Sequence, residues 1–257
     1  MTAVLLSKIL PVEISEYIIK LSGHVFENKE RLKRAVDEWC GDKHRAFKKY
    51  GNIKYWDTSK ITDMSNLFSQ KNKFNQDISR WDVSNVIDMD SMFYEASSFN
   101  QPLNDWNVSN VENMRYMFYK ASFFIQPLND WNVSNVINMS GMFYGASSFN
   151  QPLNDWNVSN IINMCDMFHR ASSFNQPLDK WNVSNVKYMK QMFDEASFFN
   201  QPLNKWNVSN VKIMSFMFYR TSSFNQPLNK WNVSNVTNMD QMFDRSGMRL
   251  SPPWYKK

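Results

Sequence analysis

Tryptophan recurs at Trp56, Trp81, Trp106, Trp131, Trp156, Trp181, Trp206 and Trp231, always 25 residues apart. Eight returns without an insertion or deletion require eight equivalent structural units, because one extra residue would rotate every later side chain out of phase. A period of 25 falls in the range of leucine-rich repeats and other solenoids. The third copy reads Leu103-x-x-Trp106-x-Val108-Ser109-Asn110-Val111-x-x-Met114-x-x-Met117-Phe118-x-x-Ala121-x-x-Phe124. Nine of its positions are nearly always apolar. Methionine stands eight residues after every Trp, and seven more methionines follow three residues later, with Leu67 in the first copy. Fifteen of the 17 methionines are therefore repeat positions.

The spacing predicts local structure. Trp-x-Val alternates with period two, as a short strand does. Met-x-x-Met-Phe-x-x-Ala shifts to threes and fours, which suits one helical or 3-10 turn. Phe-Asn-Gln-Pro-Leu-Asn supplies a return turn, and its proline halts a helix. Stacked units would form a parallel sheet over a continuous core, spanning roughly 35–40 Å at ~4.8 Å per strand. The expected architecture is a repeat solenoid, with a helical N-terminal cap over residues 1–50, eight repeats over 51–245 and a C-terminal cap or tail over 246–257. In the cap, Glu13–Leu21 carries apolar residues at helical spacing. Asn28 is placed to start a second helix with Leu32, Ala35, Val36 and Trp39 on one face.

The pattern WNVSNVxNMxxMFxxASxFNQPLN resembles the Trp/Met-rich branch of the BspA-type leucine-rich repeats of bacteria, mycoplasmas, protists and large viruses. The resemblance covers about residues 50–250, and Leu32–Phe68 looks like the usual lead-in. It implies a right-handed coil, a surface or interaction role and no enzyme activity.

Composition adds little chemistry to this frame. The formal charge of +5 is too mild to require a nucleic-acid partner, and two cysteines fit neither a disulfide scaffold nor a four-ligand zinc site. His24, His44 and His169 are isolated, and no phosphate-binding or hydrolase motif occurs. No enzyme activity, cofactor or metal is therefore expected. The Met-x-x-Met pairs read as core packing rather than copper ligation, since each sits in the same apolar phase. The recurrent Asn-Val-Ser sequons read as turn-satisfying side chains, since glycans on every unit would crowd one another. The opening MTAVLLSKILPVEI is not a convincing signal peptide, and no membrane span is expected. An intracellular or virion-associated location is favoured.

The variable positions point to partner surfaces. The residue before each Trp reads Tyr55, Arg80, Asp105, Asp130, Asp155, Lys180, Lys205, Lys230. Three carboxylates precede three ammoniums, an order with no stability advantage over alternation. It reads either as a bipolar docking strip for a protein partner or as a solvated face left by duplication. A second row, after the Phe of Met-Phe, reads Ser69, Tyr94, Tyr119, Tyr144, His169, Asp194, Tyr219, Asp244. Its three tyrosines suit an interface, or simply pack on one another. Pro252-Pro253-Trp254-Tyr255 matches a WW-domain ligand through Pro252, Pro253 and Tyr255, unless Trp254 is tucked into the cap. The segment from Ile9 to Leu21 resembles the opening of an F-box, which offers an alternative function as an adaptor that recruits a target to a ubiquitin ligase.

Overall fold

A computed structural model describes residues 23–256. The amphipathic segment at Glu13–Leu21 and the F-box-like stretch lie outside the described residues. Helix α1 spans Lys29–Gly41 and α2 spans Lys43–Tyr50, followed by a 3-10 turn at Ile53–Tyr55. Asn28 caps α1 by accepting from the Arg31 N–H at 3.0 Å, and Asp42 caps α2 by accepting from the Arg45 N–H at 3.0 Å. Leu32, Ala35, Val36 and Trp39 form the buried stripe of α1. Trp39 meets Trp56 edge-on at 5.6 Å, and Phe26 packs on Trp56 at 5.0 Å. The helices thus cover the first tryptophan of the series.

Beyond Tyr55 no helix occurs among the described residues. The expected helical or 3-10 turn at Met-x-x-Met-Phe-x-x-Ala is not formed, and the expected strand at Trp-x-Val is absent too. The apolar threes are instead the two ends of consecutive four-residue turns. In the third repeat the Trp106 N–H donates to Leu103 O, Val111 to Val108, Met117 to Met114, Ala121 to Phe118 and Phe124 to Ala121, at 3.0–3.3 Å. The first and last residues of such a turn point inward, so a spacing of three buries both. Residues 10 and 14 after each Trp take positive φ in all eight repeats, from Asn66 and Gln70 to Gln241 and Arg245. These left-handed residues keep the turns from winding into a helix, and each non-glycine one costs roughly 1–2 kcal/mol.

That cost is offset between repeats. With the helix prevented, alternate N–H groups turn toward the next repeat. Met64, Asn66, Phe68 and Gln70 donate to the carbonyls of Asp88, Asp90, Met92 and Tyr94, at 2.6–2.9 Å. The same pattern recurs up the stack and is joined by a ladder of parallel bridges, Asp63–Asp88–Asn113–Asn138–Asn163–Tyr188–Ile213–Asn238. Each bridge residue lies seven positions after its Trp.

The core is a set of parallel columns. Phe68, Phe93, Phe118, Phe143, Phe168, Phe193, Phe218 and Phe243 stack at 5.4–5.7 Å with ring planes within 8°. All seven Met-Phe methionines and the methionines from Met64 to Met214 are fully buried. The tryptophans form another column, and each is pinned. From Trp81 to Trp231 every indole Nε1–H donates to the carbonyl 28 residues earlier, at 2.8–3.3 Å. Trp254 extends the column, stacking on Trp231 at 6.1 Å and donating to Leu228 O at 2.9 Å.

Candidate functional site

The column after the Met-Phe phenylalanine gathers aromatic, imidazole and carboxylate side chains in one line. Its residues follow a buried Phe, so the backbone turns them to the flank of the stack. Tyr94 and Tyr119 lie face to face at 4.3 Å and 1°, Tyr119 and Tyr144 at 4.5 Å, and Tyr144 meets His169 at 4.3 Å. Tyr116 joins edge-on at 5.5 Å from Tyr119, its ring lying over Gly141, where a side chain would collide with it. Arg115 and Lys120 sit over the rings of Tyr116 and Tyr119. Burial first, then the neighbouring tyrosines, push the Tyr119 phenol up to about 12.

The column ends in a polar cluster. His169 is 6% exposed and Asp194, one repeat on, is 4% exposed. His169 Nδ1 lies 3.3 Å from Asp166 Oδ1. His169 Nε2 lies 3.8 Å from Asp194 Oδ2, beyond hydrogen-bond reach. Gln191 donates to Asp194 Oδ2 at 3.0 Å, but Asp194 Oδ1 and His169 Nε2 are buried without a partner. Burial pushes the Asp194 carboxyl up. Glu195 beside it is held down by Arg170, against burial and with help from Arg220, at 3.0 and 3.1 Å. His169, Asp194 and Glu195 each bring a donor atom to within 4.8 Å of the others. Sequence reasoning placed His169 and Asp194 in one column yet treated the histidine as isolated. Asp166, Gln191 and Glu195 belong to other repeat positions, and only the left-handed turns bring them together. Cys165 is adjacent, and burial pushes its thiol up to about 11, so it is protonated at neutral pH.

A family pattern described as "Mycoplasma protein of unknown function, DUF285" matches residues 25–156 and again 142–249. The chain belongs to the DUF285 family. No curated protein and no solved structure matches it. The DUF285 match begins at Val25, so it takes in α1 and α2 as well as the tandem repeats that they cover.

The structure places the charged row of this DUF285 chain on one edge of the stack. Each residue before a Trp is the third residue of the Leu-x-x-Trp turn. Arg80, Asp105, Asp130, Asp155, Lys180, Lys205 and Lys230 are exposed, and Tyr55 is half-buried under the Arg80 guanidinium. The row is not a strand flank, because no strand forms there. Lys180 pairs with Asp155 at 2.7 Å and Lys205 with Asp179 at 3.0 Å. Asn104 donates to Asp130. The asparagines flanking the row are structural. Asn107 Oδ1 accepts from the Ser109 N–H, and Asn110 Nδ2 donates to Ser84 O in the previous repeat. The Pro-Pro-x-Tyr peptide is taken up by packing. Pro252 is buried, Tyr255 lies edge-on to Phe243 at 5.0 Å, and the Tyr255 N–H donates to Pro252 O, closing a turn where a WW ligand must be extended. Among the described residues no helix is long and apolar enough to cross a membrane.

Proposed function

We propose that this chain is a non-enzymatic repeat module that binds a protein partner along the edge running from Asp105 to Lys230, and that its tandem units form a right-handed solenoid of the BspA-type leucine-rich-repeat kind. One observation carries the reading. Six exposed charges occupy the same turn position in six consecutive repeats, three acidic and then three basic. Successive repeats rise by 5.4–5.7 Å at the phenylalanine column, which makes the row a graded ruler of charge. A partner with the opposite order aligns in one register and is repelled in the reverse one. The Lys180–Asp155 ion pair within the row is highly exposed, so solvent screens it and it is readily exchanged for a partner's charge.

Immobilised full-length chain tests this with extract from the native source. A K180E/K205E/K230E variant, with near-ultraviolet circular dichroism as the check on folding, should lose the partner that wild type retains. Raising the salt from 0.1 to 0.5 M should weaken wild-type retention. A partner held equally by both proteins would remove the strip from the account. A second copy run antiparallel also presents the opposite charge order, so sedimentation at both salt concentrations distinguishes self-association from a foreign partner.

A further inference from the structure

Two buried polar atoms without partners lie on neighbouring side chains across a repeat boundary. His169 Nε2 belongs to the fifth repeat and Asp194 Oδ1 to the sixth, and neither has a hydrogen bond. Leaving either group bare in the interior is costly. The Nδ1 edge of the same imidazole is held toward Asp166 Oδ1 at 3.3 Å, which turns Nε2 toward Asp194. A histidine whose far nitrogen is fixed by a carboxylate is the arrangement that orients a metal ligand. The 3.8 Å gap between Nε2 and Asp194 Oδ2 is too wide for a hydrogen bond. It suits two donors sharing one ion at about 2.1 Å each.

We propose that His169 Nε2, the Asp194 carboxylate and Glu195 bind one divalent transition-metal ion, of which zinc is the type. An imidazole with carboxylates matches ions of borderline hardness rather than calcium or copper(I). The charges agree. Asp166, Asp194 and Glu195 carry three negative charges against the two guanidiniums of Arg170 and Arg220 that touch Glu195. Glu195 Oε1 accepts from both arginines, whereas Oε2 has a single arginine contact and keeps a lone pair for the ion. Glu195 is the most exposed of the three donors, so the coordination position left over opens toward solvent. The ion satisfies both bare atoms and fastens the fifth repeat to the sixth. It does not depend on the charged edge, which lies at a different repeat position.

Chelator-stripped full-length chain tests the site by calorimetric titration with zinc and by the visible absorption of added cobalt(II). His169→Tyr is the informative variant, because tyrosine occupies the same position in the second, third, fourth and seventh repeats and preserves the fold. The expected result is one ion per chain, with affinity at least about 10-fold weaker in His169→Tyr and in Asp194→Asn, and unchanged in His44→Asn, which alters an exposed histidine. Zinc should raise the melting temperature of wild type and leave that of His169→Tyr unmoved. Failure to bind zinc, or binding that His169→Tyr leaves intact, would overturn the site. So would wild-type His169 imidazole NMR signals that added zinc leaves unmoved.

Discussion

At the residue scale, the choice of tryptophan is explained by its N–H as much as by its area. Phenylalanine would fill the column, as it does at two other positions of the repeat. Only an indole can also satisfy the buried carbonyl 28 residues earlier. Trp181→Phe removes the 2.9 Å bond to Leu153 O and leaves that carbonyl bare. The expected loss is about 2–4 kcal/mol, from the orphaned group together with the smaller ring, read as a lower urea midpoint. The apolar positions were legible in the sequence, since the residues that recur as Leu, Trp, Val, Met, Phe and Ala are the buried ones. The indole's partner was not legible, because the carbonyl belongs to a neighbouring repeat and any residue can supply it. Thr221 shows the same limit. It replaces the usual alanine and is fully buried, with its hydroxyl donating to Phe193 O at 2.6 Å.

At the element scale, the building block is the four-residue turn. Spacings of three read naturally as a helix, and the Trp-x-Val alternation reads as a strand. Both patterns also arise where one turn ends and the next begins, and pattern alone cannot separate these cases. The deciding feature is the pair of left-handed residues in each repeat, which seven of the eight repeats fill with ordinary side chains. Only Gly141 and Gly145 announce those positions by type. Gly141→Ala brings a Cβ to 2.1 Å from the Tyr116 ring at φ +60°, so a loss of about 2–4 kcal/mol is expected. In a Tyr116→Ala background the same change should cost only about 1 kcal/mol, and a double-mutant cycle of urea melts measures the difference. The turn before Trp81 carries an acid-sensitive contact. Asp77 takes the Lys54 ammonium at 2.5 Å and accepts from Ser79. Burial alone would raise its carboxyl, but these partners outweigh it and bring the pKa down to about 2. The stabilisation is therefore complete above the ordinary aspartate range and is lost as pH falls toward about 2. Asp77→Asn should be less stable than wild type at pH 7, and the gap should close on acidification.

At the scale of the whole molecule, repetition makes stability a matter of neighbours, since each unit donates its hydrogen bonds and rings to the next. The period was fully legible, because the tryptophan spacing allows no other count. The charged row was legible as a sequence of signs, and its exposure follows from its place in the turn. The polar cluster at His169 was not, since its members come from several repeat positions that only the folded backbone brings together. In this architecture each 25-residue unit is one interchangeable layer. Deletion of residues 207–231 tests it most directly, for it joins Trp206 to Asn232 and restores an unbroken Trp-Asn-Val-Ser-Asn. The shortened chain should keep its near-ultraviolet circular dichroism per tryptophan and unfold cooperatively in urea, while deletion of residues 207–218 alone should abolish both. If the 25-residue deletion unfolds the chain as completely as the 12-residue one, the repeats are not equivalent layers.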